Sequence, residues 1–260
     1  FCEDNGVEFS YFKPAGDNTA DRVAMIEKAV DEGYNVIVMP GYAFGGAIVE
    51  AAPEFPDVKF IALDVAKGDL LEAGVAKAGE SYDYNPDNWD LEKYVDMSNV
   101  YCAIYQEELC GYMAGYAAVK LGYKNLGFLG GMAVPAVVRY GYGFVQGVDA
   151  AAADLGLSDV TLNYIYGGQF SGDVDITAVM DTWYANGTEV VFACGGGIYT
   201  SAVEAALKNN GYVVGVDVDQ NYIGANGVEK DGYAYNPFIT SAMKGLSESV
   251  STCLLYTSPS

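Results

Sequence analysis

The strands of this chain constrain its fold more than any other feature. Residues 35–39 (NVIVM), 59–63 (KFIAL), 126–129 (LGFL), 189–193 (EVVFA) and 212–216 (YVVGV) are near-continuous apolar runs. Strands that alternate apolar and polar residues have one wet face, whereas continuous runs belong to parallel sheets covered on both faces by helices. Segments of helical periodicity separate them, and strand and helix alternate almost without a break. The pattern predicts an α/β fold with doubly wound parallel sheets. Residues 8–12 alternate as an opening strand. Asp17-Asn18-Thr19 then offers caps for a helix carrying Val23, Ile26 and Val30 and ended by Gly33. An acidic, aromatic interval over 67–97 reads as a surface excursion, and residues 238–250 as a final helix.

The segment 125–148 (NLGFLGGMAVPAVVRYGYGFVQGV) reads as strand, glycine turn and helix, with Val137, Val138, Tyr142, Val145 and Val148 at helical spacing. Arg139 falls near the start of that helix, where the dipole disfavours a cation. It either meets a ligand or pairs with a neighbouring carboxylate. In the preceding helix Gly111 and Gly115 stand four apart among alanines, a spacing that admits close backbone packing.

With 260 residues and 51% hydrophobic content, the chain has enough to build one large core or two smaller ones. A formal charge of −22 argues against nucleic acid or an anionic membrane as partner. The five cysteines show no CxxC pair or metal-ligand spacing, and no metal or other cofactor is expected. No apolar run is long enough for a membrane span. Phe1 stands just before a strand without a preceding partner, and residues 253–260 (CLLYTSPS) change abruptly in character. An N-terminally truncated fragment with a foreign or artefactual tail is therefore expected.

In open parallel sheets ligands bind at the carboxyl ends of the strands. Those ends carry Tyr42 and Phe44, Asp64, Gln106 and Glu108, Met132 and Arg139, Gln169 and Phe170, Gly196, Gly197, Ile198 and Tyr199, and Asp217 and Asp219. An enzyme reading has little support. Histidine, the commonest general base, is absent, and no GxSxG, Walker A or GxGxxG motif is present. Converging carboxylates such as Asp64, Glu108 and Asp217 leave a glycosidic hydrolase open. Binding fits better. A carboxylate accepts two hydroxyl hydrogens at once, as a sugar cis-diol requires, and facing aromatics sandwich a flat base or a sugar face. Each residue has a plainer reading too: Asp217 as a turn cap, Tyr42, Phe44 and Tyr199 as core or rim aromatics, Asp64 and Glu108 as helix caps.

The run YQEELCGYMAGYAAVKLGYKNLGFLGGMAVPAVVRYGYGFVQGV resembles the basic membrane lipoprotein (PnrA-like) family of ABC-transporter substrate-binding proteins. MPGYAFGGAIVEAAPEFPDVKFIALD, VVFACGGGIYTSAVEAA, VVGVDVDQ and ITSAMKGL extend the match over most of residues 9–250. The resemblance implies a type I periplasmic-binding-protein fold, with two lobes holding a purine nucleoside in the cleft between them. Lobe 1 would comprise about 1–106 plus 233–252 and lobe 2 about 107–232, hinged near 105–108 and 232–237. It further implies that Asp217 holds the ribose hydroxyls, with Lys244 in the same region. Tyr199 would stack on the base and the Tyr42/Phe44 turn would face it. The family's D-x-S-F-N loop has no counterpart in this sequence, and Cys2 lacks the small-residue context of a lipobox. The implied protein is a monomeric, extracytoplasmic lipoprotein or periplasmic protein that delivers its ligand to an ABC permease. A sugar or autoinducer-type binder of the same fold is the alternative, and a nucleoside hydrolase the third reading.

Overall fold

The computed structural model describes residues 2–257. It is built from two compact units: Tyr105–Lys244 form one, and the residues before and after that stretch form the other.

In the first unit Asn18 caps the helix α1 (Thr19–Asp31), its side chain accepting from the Asp21 amide at 2.9 Å. Strand β1 (Val36–Pro40), helix α2 (Gly45–Ala51), strand β2 (Lys59–Leu63), helix α3 (Lys67–Lys77) and strand β3 (Val100–Ala103) follow. The three strands form one parallel sheet in the order β1-β2-β3, with Ile37 opposite Phe60 and Ala62 opposite Cys102. Ile26, Met39, Ile48, Phe60, Ala62, Leu70 and Val95 make its core. Asn99, buried beside β3, donates from Nδ2 to the carbonyls of Ala52, Phe55 and Val58 at 3.0–3.1 Å, satisfying the turn between α2 and β2.

The second unit begins with helix α4 (Glu107–Lys120), then strand β4 (Asn125–Gly130), helix α5 (Pro135–Leu155), strand β5 (Thr161–Tyr166) and helix α6 (Val174–Ala185). Strand β6 (Val190–Cys194), helix α7 (Tyr199–Asn209), strand β7 (Tyr212–Asp217), the short helix α8 (Asn221–Asn226) and strand β8 (Phe238–Met243) complete it. All five strands are parallel, in the order β5-β4-β6-β7-β8. Phe128, Phe192 and Val214 point to the face covered by α4 and α5, where Tyr140, Phe144 and Val148 pack on them. Leu129, Val191 and Val213 point to the other face, packed with Met180, Ala202 and Ala206 of α6 and α7. Around β4, β6 and β7 both faces are dry, as the continuous apolar runs require, whereas the edge strand β5 leaves Tyr164 and Ile165 exposed.

Helices α4 and α5 approach more closely than ordinary side chains permit. A Cβ on Gly111 or Gly115 would run into the carbonyl oxygens of Tyr140 and Phe144. One on Gly143 or Gly147 would strike those of Glu108 and Tyr112. The glycines interlock reciprocally, two from each helix.

Several sequence expectations change. Residues 8–12 form no strand, and Phe9 and Tyr11 are exposed. The interval expected to be irregular opens with α3, whose Leu70, Leu71 and Val75 are buried. Only its later part is turns, including Pro86–Asn88 and Leu91–Lys93. The expected final helix over 238–250 is split into β8 and a helix over Leu246–Thr257. The β-branched pair Ile239-Thr240 gains more from pairing beside β7, where Thr240 lies opposite Val214, than from helix. Because β8 is the fifth strand of the second sheet, the second unit runs to Lys244, and not to 232 as expected. The abrupt tail from Cys253 continues that last helix to Thr257, with Cys253 buried. Residues 258–260 of that stretch, like Phe1, lie outside the described residues. Among the described residues no helix is long and apolar enough to cross a membrane.

Candidate ligand-binding site

A parallel sheet gathers the carboxyl ends of its strands along one edge. In the second unit the strand order reverses direction between β4 and β6, the switch point at which crevices open in such sheets. There Gly131, after β4, donates its amide to the Cys194 carbonyl at 2.8 Å. Phe170, carried by the turn after β5, lays its ring against the backbone of Gly131 and Gly195, and its carbonyl accepts from Gly197 at 2.7 Å. Gly195 has φ +136° and Gly196 φ +51°, conformations that keep this turn flat beneath the ring. Met132 is half-buried in the β4–α5 turn.

Beside this glycine floor lies a charged network. Asp217 ends β7 in the left-handed region, φ +66°, a conformation unusual for any residue with a side chain. The Lys244 amide donates to the Asp217 carbonyl at 2.8 Å, continuing the β7–β8 ladder past Met243. Its ammonium therefore returns along the same edge to within 3.2 Å of Asp217 Oδ1. The same ammonium lies 3.6 Å from Glu107 Oε1 and over the rings of Tyr140 and Tyr105, at 5.4 and 5.8 Å from their centroids. Glu107 Oε2 accepts from Arg139 Nε at 2.6 Å. Burial pushes the Tyr140 phenol well above its ordinary range, and the Asp217 charge pushes it further, so it stays a neutral donor to the Ala242 carbonyl.

Of the sequence candidates, Asp217, Lys244 and Arg139 thus share one network, and Phe170, Gly196 and Gly197 share the adjacent turn. Gln106 is exposed before α4, and Glu108 is half-buried with Oε2 lacking a hydrogen bond. Tyr199 opens α7, and its ring packs against Phe238 among Ile223 and Tyr233. Gln169 binds Asp173, and Asp219 caps Asn221. In the first unit Tyr42 and Phe44 form the turn after β1 (Tyr42–Phe44), Phe44 beneath the Arg22 guanidinium at 5.6 Å. Asp64 follows β2 with φ +63°, so each unit ends a strand in a left-handed aspartate.

Sequence reasoning missed Glu107, Tyr105 and Tyr140. A signal for the first exists: Glu107, Gly111, Ala114, Gly115 and Ala118 fall at positions i, i+4, i+7, i+8 and i+11, the stripe that α4 buries. Glu108 is one residue, about 100° of helix, out of phase with it.

A family model described as "ABC transporter substrate-binding protein PnrA-like" matches residues 1–255. The "ABC transporter nucleoside-binding protein BmpA" of Lactococcus lactis subsp. cremoris is 27% identical over 248 residues, 92% of this chain and 61% of that protein. "Basic membrane protein B" of Borreliella burgdorferi is 25% identical over 254 residues, 96% of this chain and 60% of its own length. The chain therefore spans about three-fifths of these relatives. Among solved structures, an ABC transporter solute-binding protein of Aeropyrum pernix aligns with TM-score 0.59 and 18% identity, covering 92% of this chain and 66% of the other. A sugar-binding ABC transporter protein of Bacillus halodurans aligns with TM-score 0.61 and 10% identity over 100% and 81%. At those identities the likeness is one of fold, the type I periplasmic-binding-protein fold.

Proposed function

We propose that this chain, which belongs to the PnrA-like family of ABC transporter substrate-binding proteins, captures a nucleoside, a purine nucleoside first of all, for an ABC importer. The protein acts outside the cytoplasm as a lipoprotein or periplasmic binder, and a permease receives its ligand. The observation that carries this reading is the Asp217–Lys244 pair. A ribose cis-diol needs both an acceptor for its hydroxyl hydrogens and a donor for its oxygens. Asp217, with 37% of its side chain exposed, offers the first, and the ammonium 3.2 Å away offers the second. The L. lactis relative, named as a nucleoside-binding protein, supports the choice of ligand class. Phe170 over the glycine turn supplies an aromatic face for a base. No step of covalent chemistry is assigned to any residue.

Calorimetry with guanosine, inosine, adenosine and free ribose tests the reading. Heat with a nucleoside is expected, and Asp217→Ala should weaken it at least tenfold. Binding of free sugars alone would replace the nucleoside by a sugar, and release of free base from inosine, followed by chromatography, would make the protein a hydrolase.

A further inference from the structure

The charged network has an inner half that the ligand reading does not use. Glu107 has a side chain with 0% exposure, at the first residue of α4, and both its oxygens face cations. Oε2 holds Arg139 in a short hydrogen bond of 2.6 Å. Oε1 makes no hydrogen bond and stands 3.6 Å from Lys244, an ion-pair distance. Lys244 itself is 4% exposed and is closer to Asp217, at 3.2 Å. Charge therefore alternates along one line, from Arg139 to Glu107 to Lys244 to Asp217, beginning and ending at partly exposed groups.

An ammonium buried between two carboxylates is shared by them. Remove the inner one, and the pull of Asp217 is no longer balanced by Glu107, which draws the lysine outward onto the acceptor a ligand would use. We infer that Glu107 is a positioning residue for ligand binding. It holds Lys244 back, so that Asp217 accepts one hydroxyl while the ammonium donates to its neighbour. This rests on the reading of Asp217 as the hydroxyl acceptor. Arg139, on α5, is the counter-charge that fixes the Glu107 carboxylate in place at the start of α4.

The test is a double-mutant cycle with Glu107→Gln, which keeps the shape and removes the charge, and Lys244→Met, which keeps the stem. Glu107→Gln should weaken nucleoside binding at least tenfold in the native background and by less than twofold when Lys244→Met is already present. Equal losses in both backgrounds, or no loss in either, overturn the proposal. Melting temperatures of the same four proteins without ligand read the contact independently of what is bound. The drop caused by Glu107→Gln should be at least halved by Lys244→Met. If the native protein binds no nucleoside, the functional reading fails, and additive melting shifts would then refute the Glu107–Lys244 coupling separately. Should Glu107→Gln not fold, Glu107→Asp retracts the carboxylate with its charge intact and enters the same cycle.

Discussion

Two residues with side chains, Asp64 and Asp217, end strands in the left-handed region, where a Cβ crowds the backbone at a cost of about 1 kcal/mol. Asparagine tolerates this conformation better than alanine, so the two substitutions at Asp217 separate charge from backbone. Asp217→Asn and Asp217→Ala should lose ligand alike, while the Asn variant is more stable than the Ala variant by roughly 0.5–1 kcal/mol in denaturant titration. Equal stabilities would mean that the backbone, not the side chain, sets the turn. Asp217 was readable because a carboxylate at the end of an apolar run is conspicuous. Glu107 was not, since a helix start rich in acids looks like ordinary dipole compensation. Only the phase of the small-residue stripe separates it from Glu108. Tyr199 shows the converse: a triple glycine marks the turn, yet nothing local says that the ring will settle on Phe238.

At the scale of elements, the α4–α5 glycine interlock joins packing to the site, because α4 begins with Glu107 and α5 carries Arg139 and Tyr140. Gly143→Ala should cost about 1–3 kcal/mol by overpacking, and should also weaken nucleoside binding as the helices part and the 2.6 Å Arg139–Glu107 contact lengthens. A stability loss with native affinity would show that the two are uncoupled. The spacing of Gly111 and Gly115 announced half of this contact, while the matching pair Gly143 and Gly147 in α5 went unread. The turns after α3 are held differently. Asp83 accepts from the Asn88 side chain at 2.7 Å, the Asn85 amide at 3.0 Å and Trp89 Nε1 at 2.7 Å, which lower its pKa below the ordinary aspartate range. A carboxyl with a depressed folded pKa stabilises above its unfolded value, near 3.9, and loses that contribution as pH falls through the folded value. In a Trp183→Phe background, Trp89 fluorescence should hold steady from pH 7 to about 4 and change below, and Asp83→Asn should abolish the transition. These turns were not legible beforehand, because their order comes from side chains bonding back to a single carboxylate.

Across the whole chain, strand content and parallel winding were legible because apolar runs of strand length leave few alternatives. The break between the units was not. The segment 238–243 carries the same apolar residues whether it ends as helix or strand, and an unpaired sheet edge more than twenty residues upstream decides the matter. That late-arriving strand sets an order of events. Lys244 is the last residue of its unit, and the contacts that seat it reach back to the beginning: Cys110 to the Met243 carbonyl, across 133 residues, and Tyr140 to Ala242, across 102. Closing loops of that length adds only a few RT in entropy but delays the contact until the intervening sheet exists. The ammonium therefore meets its two carboxylates only once β8 has joined the sheet, and a chain still emerging from the ribosome lacks the Asp217–Lys244 pair until β8 has been made.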